Sequence, residues 1–95
     1  MGIKKQNTPN SLRKYRRLMG YTQSEVAFLL DIHCRARISR WEQGICMPSA
    51  ENLLYMSILY CTLPHELYPD YLKILKQNLV MKKQKMNDKK VIKKR

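Results

Sequence analysis

Apolar residues recur along this chain at helical intervals, in short blocks separated by turn residues, and no stretch alternates as a strand would. Asn7 to Asn10, with Pro9, reads as a lead-in loop, and Asn10 or Ser11 can cap a first helix over Leu12 to Met19. Leu12, Tyr15, Leu18 and Met19 form its inner stripe, with Arg13, Lys14, Arg16 and Arg17 on the other faces. Thr22 and Glu25 have capping-box spacing, so a second helix begins at Gln23, with Val26 and Leu30 four apart and Ala27 small enough for close helix contact. The pattern breaks after Asp31, and Ile32 pins the connector. A third helix starts near Cys34 or Arg35, turns Ile38 and Trp41 inward, and stops at Gly44. Arg35, Ala36, Ser39, Arg40 and Gln43 are then left on its outer faces.

Further on, Pro48 and Ser49 start a fourth helix with Glu51 in its first turn. Leu53, Leu54, Met56, Ile58 and Leu59 run nearly all round it, which predicts a central position in the core, with the hydroxyls of Tyr55 and Tyr60 reaching the surface. LPHELY reads as a short helix opened by Pro64 that returns Leu67 to the core, with His65 exposed in its first turn. Residues 69–83 then predict one more helix, with Tyr71, Leu72, Ile74, Leu75, Leu79 and Val80 as an apolar stripe opposite Lys73, Lys76, Lys82 and Lys83. So much leucine needs a partner: the protein's own domain, a second copy or a lipid surface. Residues 84–95 read as a basic disordered tail, either an electrostatic arm for phosphates or a solubilising end. Residues 1–10 read as a flexible leading segment.

Charge narrows the class of partner. The 95 residues carry 19 Lys and Arg against 7 Asp and Glu, a net charge of +12, which calls for a polyanion. No run approaches the ~18 apolar residues that span a bilayer, and the N-terminus has no hydrophobic signal region, so a cytoplasmic protein without membrane partners is expected. Cys34, Cys46 and Cys61 have no CxxC pairing and read as reduced thiols. Cys34, beside Arg35 at a helix start and next to His33, admits a redox or metal switch, but a small side chain close to the polyanion accounts for it equally. No glycine-rich phosphate loop, metal-spaced cluster or nucleophile and base pair is present, so neither an enzyme, a cofactor nor a metal is expected.

Taken in order, LRKYRRLMGYTQ, VAFLL, ISRWEQG, PSAENLLYMSILY and LPHELY resemble the Cro/repressor-type helix-turn-helix family of bacterial and phage transcription regulators. The resemblance implies an all-α protein: a compact five-helix lambda-repressor-like domain over residues 11–68, followed by the additional amphipathic helix. It implies sequence-specific binding of double-stranded DNA, with the helix of residues 35–43 in the major groove. Arg40 and Arg35 would read guanine edges, Ala36 a thymine methyl, and Ser39 would join them. Thr22, Gln23, Cys34, Arg37, Gln43, Lys14 and Arg17 are the implied phosphate contacts. Arg16 takes the place of a basic residue that pairs with an acid of the recognition helix, here Glu42, a structural role.

The sequence departs from the family in DIHCRAR, which holds one residue more than usual. Counting back from Ile38 puts Cys34, Arg35, Ala36, Ser39 and Arg40 on the reading face and leaves Arg37 between that face and the turn. Phe28 and Leu29 occupy positions commonly polar in the family and could dock the additional helix. Since one such domain reads only a few base pairs, a homodimer is expected. Two other readings stay open: an antitoxin-like module with a protein partner and secondary DNA binding, and a non-specific nucleic-acid binder driven by the tail.

Overall fold

Leu12, Val26, Ile38, Met56, Tyr60 and Leu67 meet at the centre of the protein, each almost completely shielded from solvent. They come from five successive elements of a computed structural model that describes residues 7–89. These are α1 (Leu12–Leu18), α2 (Gln23–Leu29), α3 (Arg35–Gln43), α4 (Ala50–Leu59) and a 3-10 turn (Pro64–Leu67), with α5 (Pro69–Lys89) following. Every regular element among the described residues is helical. No helix among them is long and apolar enough to cross a membrane.

The ends of these helices carry much of the arrangement. Asn10 caps α1 from one residue outside the cap position: its side-chain oxygen accepts from Leu12 N–H at 3.0 Å, while Ser11 makes no side-chain cap bond. The Asn10 amide also donates to the carbonyls of Trp41 and Glu42, at 3.1 and 3.3 Å. Thr8 N–H donates to Gly44 O at 3.0 Å. Residues 7–10 are therefore fastened to the end of α3; residues 1–6 lie outside the described residues. Gly44 has φ +80°, and a Cβ there would run into the Thr8 backbone, so glycine is required twice over.

Several expectations about faces need correction. Leu18 is 69% exposed and Met19 is also in solvent. At 100° per residue Leu18 points 120° away from Leu12, and Met19 lies past the helix end where Gly20 (φ +82°) turns the chain, so Leu12, Tyr15 and Arg16 make the inward face. In α4 the inward face is Leu53, Met56, Ser57 and Tyr60, one stripe at helical spacing, and Leu54 and Ile58 point outward. Ser57 is tolerated inside because its hydroxyl donates to Leu54 O at 2.8 Å. Tyr60 is buried together with its hydroxyl and does not reach the surface.

The additional helix also differs from expectation. It runs to Lys89, past residue 83 and into the stretch read as disordered, since the lysine-rich 82–89 contains no glycine or proline to stop it. Residues 90–95, the rest of that tail, lie outside the described residues. Only Tyr71 and Leu72 of its stripe are partly covered, and it does not dock on Phe28 and Leu29, which remain exposed. The 17.2 Å radius of gyration, against about 12 Å for a compact chain of this length, reflects α5 standing out from the body.

Candidate nucleic-acid interface

The interface begins with how α3 is fixed. Thr22 N–H donates to Glu25 Oε1 at 2.9 Å and Glu25 N–H to Thr22 Oγ1 at 3.1 Å, closing the first turn of α2 as a capping box. Asp31, at φ +59°, takes the left-handed conformation that turns the chain out of α2, and Cys34 is the N-cap of α3 without a side-chain cap bond. Asp31 to Cys34 form the turn, and DIHCRAR is divided between that turn and the start of α3 at Arg35. From Arg35 onward the helix keeps the register set by Ile38 and Trp41, both nearly inaccessible.

At 100° per residue, Ala36, Ser39, Arg40 and Gln43 then lie opposite the buried pair, with Arg35 on the flank next to α2 and Arg37 on the other flank. Arg37 is a helical residue, not part of the turn, and its guanidinium carbon lies 6.0 Å from the Trp41 ring centroid. Gln43 donates to Ser39 Oγ at 2.8 Å, so the two present one polar unit.

A buried ion pair ties this helix to α1. Arg16 Nε donates to Glu42 Oε2 at 2.6 Å and Nη2 to Oε1 at 3.1 Å, while Nη1 donates to Tyr21 O at 2.8 Å. The two side chains are 8% and 4% exposed. The bond from Glu42 holds the Arg16 guanidinium even further above its ordinary range. Gln23 Nε2 also donates to Glu42 Oε1 at 3.0 Å, and Arg35 Nη1 donates to Gln23 Oε1 at 3.4 Å. Gln23 thus links the start of α2 to both ends of α3. Since Glu42 is neutralised inside this network, it does not weaken the positive field of the outer face.

Beside α3, Arg13, Arg17, Tyr21, Thr22, Gln23, Ser24 and Arg35 line one open cleft. Arg17, Thr22, Gln23 and Arg35 are brought together there, while Lys14 does not line it and leans on Tyr15, its Nζ 5.4 Å from the ring centroid. Thr22 cannot offer its backbone N–H to an anion while Glu25 holds it; Gln23 and Ser24 carry the remaining unpaired donors of that turn. Arg13 was not among the expected contacts. Its spacing of four from Arg17 was the available signal, because residues so spaced share one side of a helix. Among the described residues no group of His, Cys, Asp and Glu could hold a metal ion, and Cys34, Cys46 and Cys61 are free and exposed.

Residues 12–57 match the family model described as Helix-turn-helix, a span just under half the chain that covers α1, α2, α3 and most of α4. No curated protein and no solved structure matches the chain.

Proposed function

Residues 12–57 of this chain belong to the Cro/repressor-type helix-turn-helix family of DNA-binding regulators, and from that membership we propose that the protein reads specific double-stranded DNA sequences with α3 in the major groove. The observation that carries this reading is the outer row Ala36, Ser39, Arg40 and Gln43. It stands on a helix whose rotation is fixed by buried Ile38 and Trp41 and by the Arg16–Glu42 pair. Rotational fixing matters because a base edge is read by side chains held in one register. Arg40 presents two donors to a guanine edge and is the principal reader, with Arg35 second. Ala36 meets a thymine methyl, and Ser39 with Gln43 supplies a hydroxyl and an amide.

The basic cleft takes the phosphates: Arg13 and Arg17 from α1, and the Gln23 and Ser24 N–H groups from α2. Arg37 extends the positive surface on the far flank. The net charge of +12 supports strong, salt-sensitive attraction to the duplex. Two copies set about one DNA turn (~34 Å) apart would read a palindrome, and the protein works in the cytoplasm as a homodimer.

Arg40→Ala tests this assignment. It is expected to cost about 1–3 kcal/mol on the preferred site and to relax discrimination at one or two base pairs. An equal loss on all sequences would make Arg40 a phosphate contact instead. A second reading, a module whose main partner is another protein, is favoured by the exposed Phe28 and Leu29 on α2. It predicts normal stability and folding but no sequence preference on DNA.

A further inference from the structure

From Lys73 to Asp88 every side chain of α5 is exposed, including Leu75 and Leu79. Leucines held in water on an unsupported helix call for a covering partner. Leu72, Leu75, Leu79, Lys82 and Met86 are separated by alternating steps of three and four, the spacing of a coiled-coil seam. Lys76 and Lys83 fall on one flank of that seam, and Asn78 and Lys85 on the other. The two carboxylates of the helix, Asp70 and Asp88, fall on the side turned away from it.

This distribution of charge decides between the surfaces that could cover the seam. A second α5 offers no carboxylate to these lysines, whichever way it runs, because Asp70 and Asp88 are turned outward. A lipid surface is kept off by the body of the protein. Tyr71 packs against the core and meets Tyr68 edge-on, with 6.3 Å between ring centroids, and Leu72 is partly covered. Leu72 is also the first residue of the seam. The body therefore stands on the seam side at the base of α5, and the two make an inner corner. A flat bilayer cannot follow the seam into that corner, and it would bring Lys82 among acyl chains. A helix from another protein fits there, and carboxylates along it would neutralise Lys76, Lys82, Lys83 and Lys85.

We propose that the seam of α5 binds an acidic amphipathic helix of a different protein. Apolar side chains of that helix cover Leu72, Leu75 and Leu79, and its carboxylates meet the lysines in and beside the second half of the seam. The site is separate from α3 and requires neither DNA reading nor a second copy of the chain.

The test titrates the full chain, under reducing conditions, into a fluorescently labelled synthetic peptide of three heptads with leucine along one face and glutamate on its flanks. One control peptide has the same composition in an order that scatters the leucines, and another has lysine in place of glutamate. The glutamate peptide is expected to bind with a Kd on the order of 10 μM, the scattered peptide about tenfold more weakly and the lysine peptide not at all. Leu79→Glu is expected to weaken the glutamate peptide about tenfold, with helical circular dichroism and thermal melting retained. Should Leu79→Glu disturb folding, charge reversal decides: Lys82→Glu combined with Lys85→Glu is expected to weaken the glutamate peptide about tenfold and to let the lysine peptide bind. Equal binding of the scattered peptide, undiminished binding by Leu79→Glu, or no change of preference on charge reversal overturns the proposal. So does a seam covered in another way, seen as self-association or binding to phosphatidylglycerol vesicles that Leu79→Glu abolishes. DNA sequence preference is measured without peptide, so its absence would leave this site intact, and loss of peptide binding would leave recognition by α3 intact.

Discussion

Glu42 sits on α3, the helix proposed to read DNA, yet its carboxylate points away from solvent and accepts from Arg16 and Gln23. A carboxylate left on the outer face would repel phosphate; enclosed, it holds α3 at a fixed angle to α1. Removing one partner of such a pair strands the other charge, so Glu42→Ala is expected to cost about 3–5 kcal/mol and to lower the melting temperature by more than ~10 °C. An unchanged melting curve would show that the pair does not hold α3. Tyr60 and Tyr68 pose the reverse problem, since both hydroxyls are buried without a hydrogen-bond partner among the described residues. Burial pushes Tyr68 up to about 12 and Tyr60 higher still, above the ordinary phenol value near 10. The folded state then keeps protons that the unfolded state releases. The stabilisation from these groups is complete below pH 10 and is lost as pH rises from 10 through 12. Denaturant unfolding at pH 9 and pH 11 is expected to show that loss, and Tyr60→Phe to reduce it while leaving neutral-pH stability unchanged or higher.

Among the elements, α4 ends on a strained residue. Cys61 takes φ +54°, donates to Ile58 O at 3.2 Å, and is followed by Thr62 donating to Ser57 O at 3.0 Å, the pattern that usually employs glycine. Cys61→Gly is expected to stabilise the fold by up to about 1 kcal/mol, and a loss in thermal unfolding would contradict that. Signals of this local kind explain what was legible beforehand. The Thr22–Glu25 box, the Ser49 cap, the Gly44 stop and the Ile38–Trp41 pair each depend on residues within one or two turns. The inward side of α4 was not legible, because a helix apolar nearly all round names no side. Tertiary packing chose the face with Ser57, whose hydroxyl Leu54 O satisfies. The reach of the α1 stripe failed for another reason: Leu18 lies 120° round the helix from Leu12, and Met19, which fits the period, stands past the helix end beside Gly20. For α5, composition marked the lysines as tail, whereas helix geometry carries them on to Lys89. In the interface, Arg35 and Arg40 were legible as outward residues. Arg13 was passed over because its part depends on the cleft that α1 forms with the start of α2.

At the scale of the whole molecule, charge and apolar surface are sorted by region. Arg13, Arg17, Arg35, Arg37 and Arg40 gather around α3 and the cleft, whereas Glu66 and Asp70 lie on the 3-10 turn and the first turn of α5, where α5 leaves the body. Arg17→Ala is expected to weaken binding about equally on all sequences and to reduce the slope of log affinity against log salt by about 1, as a phosphate contact should. A sequence-dependent loss would move Arg17 to base readout. The central claim, sequence-specific reading by α3, is tested most directly by selecting bound duplexes from a random pool at physiological salt. The account predicts enrichment of one motif, repeated with two-fold symmetry at about one-turn spacing, and its relaxation at one or two base pairs by Arg40→Ala. A pool that enriches nothing, with affinity that follows salt alone, would contradict it.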